Sequence, residues 1–273
     1  MISHNDSIGI NEHNRKSDIT TKKDFSEIIN AYNFFKEHST EYKANWNQVS
    51  LKLKQGNLIK PSISILDFGG GDGTFLCDLY SKTDLNKHNP KLFFYELLES
   101  YKETAKLKLT SSGYNNLVFL EKIDNTLDAA FDLIFINHVL YYVESIEKTI
   151  FQLYSKLNQD GQTWILMADE NNSLIKLWKT FFEIIGMNVP YFLINDLRFV
   201  LDKHAIVYSE IKEINSEFIF KNNQKNRMYI TNFLLGSYSQ QVSDNTVQEI
   251  LSCYEKGDNV CLPLSDSLFT AKK

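Results

Sequence analysis

Residues 62–80, SISILDFGGGDGTFLCDLY, constrain the chain more than any other stretch: an apolar run of strand length, a cluster of glycines, then helical spacing. A strand that enters a helix through a glycine-rich turn opens an α/β sheet, and the sequence after Pro61 keeps that grammar. SISILDF, KLFFYE, NLVFLEKI, FDLIFIN and TWILMAD read as strands, with SYKETAKLKLT and SIEKTIFQLYSKL between them as helices. Gly161 in LNQDGQ reads as the turn from helix into the fifth strand. Helical SLIKLWKTFFEIIG and a short helix from Asn195 follow, then strands at AIVYSEIKEI and LSDSLFTA with further helix between them. The expected fold is α/β, a doubly wound, mostly parallel seven-stranded sheet with helices on both faces. A chain of 273 residues holds this as one large domain spanning 61–273, with a helical insertion around 172–203.

Ahead of Pro61 the pattern is helical. Ile29, Tyr32 and Phe35, then Tyr42, Trp46, Val49 and Leu53, recur at helical spacings. Ser39 stands between the two runs as an N-cap, which puts Glu41 in the first turn of the second helix. Residues 1–22 are polar and aperiodic and read as a flexible tail.

A net charge of −5 with no lysine or arginine block argues against a chain that binds by neutralising phosphates, so nucleic acid is not the expected partner. No apolar stretch approaches the roughly 18 residues of a membrane span, and a soluble, cytoplasmic protein is expected, a monomer or weak homodimer. Cys77, Cys253 and Cys261 are far apart and odd in number, and read as reduced thiols, mostly packing residues. No ligand spacing along the chain marks a metal site, and none is expected.

The dinucleotide fingerprint needs glycines at positions one, three and six, but Thr74 follows Gly69 and Gly71 at the sixth place. The phosphate-loop motif fails as well, for no Lys-Ser or Lys-Thr pair follows. What stands instead is Asp67-x-Gly69-x-Gly71-x-Gly73 after apolar residues, which resembles motif I of the class I S-adenosylmethionine-dependent methyltransferases. The resemblance implies a Rossmann-like methyltransferase fold, glycine amides near the methionine and ribose of S-adenosylmethionine, and Asp67 near the cofactor's cationic amino group. Glu96 ends the second strand, where a carboxylate can accept from both ribose hydroxyls, and Glu99 is a nearby rival. Asp124 and Thr126, after the third strand, are candidates for the adenine. The fourth strand brings Asn137, His138, Tyr141 and Tyr142 to the carboxyl edge of the sheet, where ligands bind in this architecture. Its NHVL lacks the two prolines of the Asn/Asp-Pro-Pro-Tyr/Phe motif of nucleobase amino methyltransferases.

Three further stretches, FFKEHSTEY, HVLYYVESI and KLWKTFF, resemble the histamine N-methyltransferase family, over most of residues 28 to about 200. The resemblance implies a small-molecule methyl acceptor, Glu41 at the cationic end of the substrate, and Tyr32, Phe35, Tyr141, Tyr142 and Trp178 in an aromatic substrate cage. Residues 23–60 would then form a helical substrate lid over the sheet edge. Trp178 and Phe181 fit equally the core face of an amphipathic helix. His138 replaces a glutamine of that family, and Ser265 and Asp266 stand where an asparagine is expected, so the acceptor is expected to be an amine other than histamine. Two other readings stay open: methylation of an oxygen or carbon acid with His138 as general base, or a fold that binds the cofactor without transferring its methyl group.

Overall fold

The computed structural model describes residue 25 and residues 27–56, 58–124 and 130–273. The expected tail at 1–22 and Thr126 lie outside the described residues.

Two helices precede the sheet, α1 (Ile29–His38) and α2 (Glu41–Gly56). Ser39 sits in the break, where its Oγ accepts from the Glu41 amide at 3.0 Å, the capping contact that its residue type favours. The chain then runs β1 (Ser64–Phe68), α3 (Thr74–Lys82), β2 (Lys91–Tyr95), α4 (Glu99–Ser111), β3 (Val118–Phe119), β4 (Phe131–Asn137), α5 (Ile146–Ser155) and β5 (Leu157–Ala168). After it come α6 (Ser173–Ile184), α7 (Ile194–Lys203), β6 (Tyr208–Lys221), α8 (Gln224–Leu235), α9 (Asp244–Leu251), β7 (Glu255–Lys256) and β8 (Asn259–Lys272). Among the described residues no helix is long and apolar enough to cross a membrane.

The sheet order is β3-β2-β1-β4-β5-β8-β6, and the two-residue β7 pairs with β8 outside that path. The first five strands are parallel, while β8 enters antiparallel between β5 and β6. The seven-stranded expectation therefore describes the main sheet. Every residue of β1 is buried, as the central strand of a sheet covered on both faces must be. Leu66, Ile134 and Ile136 point to the face packed by α1, α5 and α6, and Ile65, Leu133 and Phe135 to the face packed by α2, α3 and α4, the period-two alternation of a pleated strand.

Four details differ from the sequence reading. The run NLVFLEKI yields only a two-residue β3, whereas β6 and β8 extend to 14 residues each because they pair with each other along nearly their whole length. Gly161 lies inside β5, where Asp160 takes φ 66° and the pairing register shifts. A Cβ on Gly161 would stand 2.8 Å from the Phe131 carbonyl oxygen, so the glycine allows a bulge rather than a turn. The cysteines are free as expected, but Cys253 is exposed and the other two are only partly buried, so packing is not their common role.

The α1–α2 break is fastened to the edge strand β6: the Thr40 amide donates to the Glu217 carbonyl at 2.9 Å, and the Glu217 amide to Thr40 Oγ1 at 2.9 Å. That covers strand edge that would otherwise be open, and it aims Glu41 inward. Phe35 stacks on Phe233 of α8, with ring centroids 4.8 Å apart.

Candidate active site

Because β1 lies between β2 and β4, the connections leaving β1 and β4 run to opposite faces, and a crevice opens at their carboxyl ends. A cavity of about 1190 Å³ occupies it. Asp67, Gly69, Gly71 and Glu96 line one end, Asn137 and His138 the middle, and Tyr32, Phe35, Tyr141, Tyr142 and Trp178 the other wall.

The glycines of the first turn do different work. Gly69, Gly71 and Gly73 all have positive φ, at 69°, 56° and 73°, a region that L side chains rarely enter. A Cβ on Gly73 would also stand 2.5 Å from Ala105 Cβ, so this glycine lets α3 and α4 approach, and it does not line the cavity. A Cβ on Gly71 would meet nothing within 4 Å: the space beside it is open. Gly70, not singled out from sequence, is as constrained, since a Cβ there would stand 2.2 Å from Phe94 Cε2.

Asp67 ends β1 fully buried, and neither of its carboxylate oxygens has a hydrogen-bond partner. Burial, with Glu96 and Asp72 nearby, pushes its carboxyl up to about 7. An orphaned buried carboxylate beside an open glycine turn calls for a ligand that brings a positive charge. Glu96 is held by backbone: Oε2 accepts from the Gly71 amide at 3.0 Å, and Oε1 from the Leu97 and Leu98 amides at 2.7 and 2.9 Å. Glu99 is exposed, pairs with Lys102 at 3.2 Å and does not line the cavity. Asp124 pairs with Lys122 at 2.9 Å and is likewise absent from the cavity wall, where Ile123 stands instead. The Asn137 side-chain oxygen is buried in the wall without a hydrogen-bond partner.

Asp72, in the same turn, is bound by Lys36 from α1 at 3.1 Å and by Lys108 from α4 at 3.0 Å. Although burial opposes it, hydrogen bonds from Thr74 and Lys108 and the charge of Lys36 hold this carboxyl well below the usual range.

Further along the crevice, β4 finishes in Asn137 and His138 takes a left-handed φ of 52°, a backbone turn that throws its ring toward α2. His138 Nδ1 is 3.2 Å from the Tyr141 hydroxyl, which accepts from the Ala168 amide at 2.6 Å. His138 Nε2 is 3.5 Å from Asp266 Oδ2 and 4.0 Å from Glu41 Oε2. Asn45, one helical turn after Glu41, sets its Nδ2 2.7 Å from Asp266 Oδ2 and 3.1 Å from His138 Nε2. Burial pushes Glu41 up, against the pull of His138. Burial alone would lower His138, but Glu41 and Asp266 override it and raise the imidazole above its ordinary value.

Ser265 does not face the cavity: its Oγ donates to the buried Asp169, while the next residue, Asp266, takes the place beside His138. The β8 strand alternates faces, so one step along it exchanges the two roles. The aromatic wall is continuous. Tyr142 packs edge-on against Phe25 at 5.0 Å and Tyr191 at 5.3 Å, and Trp178 anchors its indole by donating to the Leu234 carbonyl at 2.7 Å. Phe25, Tyr191 and Phe233 were not singled out from sequence. Neither was Asn45, although a polar residue on the same helical face as Val49 was a readable signal.

The switch-point crevice, the Asp67-to-Gly73 turn and the backbone-held Glu96 define a class I S-adenosylmethionine-dependent methyltransferase, and the orphaned Asp67 oxygens with the open space at Gly71 fit that cofactor. The model of the methyltransferase domain family matches residues 35–206, and the chain belongs to that family. Histamine N-methyltransferase from Bos taurus is 27% identical over 210 residues, 68% of this chain and 70% of that protein. Two solved structures share the fold: the YcgJ protein of Bacillus subtilis, with TM-score 0.55 and 14% identity over 83% of this chain and 98% of that one, and the plantazolicin methyltransferase BpumL in complex with SAH, with TM-score 0.54 and 15% identity over 91% and 90%.

Proposed function

We propose that the protein transfers a methyl group to the nitrogen of a small, amine-bearing molecule whose cationic end rests against Glu41. The observation that carries this reading is the composition of the cavity's far end. A partly buried carboxylate, Glu41, and an imidazole face a wall of aromatic rings, and the one lysine or arginine that lines the cavity among the described residues, Lys36, is already paired with Asp72. Such a lining favours a cation and gives an anionic acceptor no partner.

Bound S-adenosylmethionine supplies a methyl group on a positively charged sulfur. Glu96 accepts from the ribose hydroxyls with the lone pairs that its three backbone amides leave free, and Asp67 receives the ammonium group. The chain's remaining work is placement: Glu41 draws the amine in, the rings of Tyr32, Tyr142 and Trp178 tolerate its charge, and His138, steadied by Tyr141, orients the substrate. Helices α1 and α2, which contribute Tyr32, Phe35 and Glu41, close the crevice and exclude water. The 27% identical relative from Bos taurus, named histamine N-methyltransferase, supports nitrogen as the acceptor atom.

The contact between His138 and Asp266 favours a second reading, in which a histidine backed by a carboxylate deprotonates a hydroxyl or carbon acid. Glu41→Gln separates the two. With an amine acceptor the substitution raises KM by about tenfold or more, as loss of a charge-assisted contact worth about 1.5–3 kcal/mol should. With a neutral acceptor KM stays near its original value.

A further inference from the structure

We infer that Glu41, His138 and Asp266, closed by the carboxamide of Asn45, form a binding site for a single first-row divalent metal ion. The inference rests on the geometry of these four side chains and not on the identity of the methyl acceptor. Three elements converge there: the first two turns of α2, the end of β4, and β8. One ligand atom from each of Glu41, His138 and Asp266 lies within 4.8 Å of the other two. Around a metal with bonds of about 2.0–2.1 Å, ligand atoms stand about 2.9 Å apart at a right angle and about 4 Å apart when opposed. The 3.5 Å from His138 Nε2 to Asp266 Oδ2 and the 4.0 Å to Glu41 Oε2 fall within that span.

Asn45 supplies the independent observation. It is 5% exposed, and its Oδ1 is buried with no donor. The Nδ2 position, 2.7 Å from Asp266 and 3.1 Å from His138, is already at ligand-to-ligand distance. Half a turn of the amide brings Oδ1 to that point, where an oxygen so close to a carboxylate is repelled unless a cation lies between them. The flip exchanges the Nδ2 hydrogen bond to Asp266 for a metal–oxygen contact and so gives the buried oxygen the partner it lacks. Outer contacts of the kind that orient metal ligands are also present: Tyr141 holds the far ring nitrogen of His138 at 3.2 Å, and Asn172 Nδ2 stands 3.3 Å from Asp266 Oδ1. One imidazole, two carboxylates and one amide oxygen suit Zn²⁺ or Mn²⁺, and lack the thiolate that softer ions demand. The ion takes the place of the acceptor's positive charge at Glu41, so metal and cationic amine exclude each other.

The test uses the full, untagged chain after chelation, titrated with ZnCl₂ and separately with MnCl₂ by calorimetry, with metal content measured after dialysis. One ion per chain is expected for at least one of the two metals. Asp266→Asn and His138→Gln should each weaken binding at least tenfold while affinity for S-adenosylhomocysteine, read as a check of folding, is kept. Asn45→Asp, which adds a charge at the fourth corner, should tighten binding. Absence of stoichiometric binding by both metals, or binding that all three substitutions leave unchanged, overturns the inference.

Discussion

Lys36 Nζ lies 3.1 Å from Asp72 Oδ2, and this contact joins the helix that carries Tyr32 and Phe35 to the glycine turn. Lys108 reaches the same carboxylate from the other side at 3.0 Å, so Asp72 keeps a partner when Lys36 is removed. Both lysine heads are partly solvated, which limits the energy at stake. Lys36→Ala should cost less than about 1 kcal/mol in denaturant unfolding. It should nonetheless raise KM for the acceptor, because α1 loses its tie to the turn. Because the folded carboxyl of Asp72 is depressed, its contribution is present above the unfolded value of about 3.9 and is lost only in more acidic solution. Unfolding at pH 5 and pH 8 should therefore show the same effect of Lys36→Ala.

Asp67 behaves in the opposite sense. Its folded carboxyl is raised to about 7, so the free protein holds a proton there in mildly acid solution, and a cationic ligand must displace it. Affinity for S-adenosylhomocysteine should rise with pH up to about 7, by at most about tenfold per unit, and level off above. Calorimetry across pH 5.5–8.5 checks this slope, which Asp67→Asn should flatten while weakening binding.

Glu96 and Glu99 give a paired test. Glu96 is fixed by three backbone amides at the cavity edge, whereas Glu99 is exposed and bound to Lys102. Glu96→Ala should weaken cofactor binding by about 1.5–3 kcal/mol, and Glu99→Ala should leave it unchanged. Titration calorimetry of both variants distinguishes them directly.

The cavity end lined by Asp67, Gly69, Gly71 and Glu96 was legible in the sequence because its determinants are local, a glycine turn and the residue after the next strand, whereas Gly73 and Asp124, also expected there, do not line it. The end around Glu41 and His138 was legible only in part. Asn45 and Asp266 touch at 2.7 Å across 221 residues of sequence, and spacing along the chain cannot record that contact. For the same reason no ligand spacing announced the cluster of Glu41, His138 and Asp266, which come from three separated elements. Ser265 was expected at the pocket, whereas it bonds Asp169 and its neighbour Asp266 is the one that reaches His138, because strand alternation fixes which residue faces which way only once the pairing with β5 and β6 is known. The helices ahead of Pro61 were found by their period, but not that Val49 and Leu53 lie in the core against the sheet, which makes α2 an integral layer.

The central claim, methyl transfer to a small cationic amine, is tested most directly by incubating the full chain with S-adenosylmethionine carrying a labelled methyl group and a panel of acceptors. The panel should contain primary and secondary amines, their neutral hydroxyl analogues and carbon acids, with products read by mass spectrometry. The account predicts gain of one labelled methyl on nitrogen for at least one amine, strongly reduced in Glu41→Gln, with no gain on the matching hydroxyl compounds. Label appearing on oxygen or carbon, or no label on any amine from a protein that binds the cofactor, would contradict it.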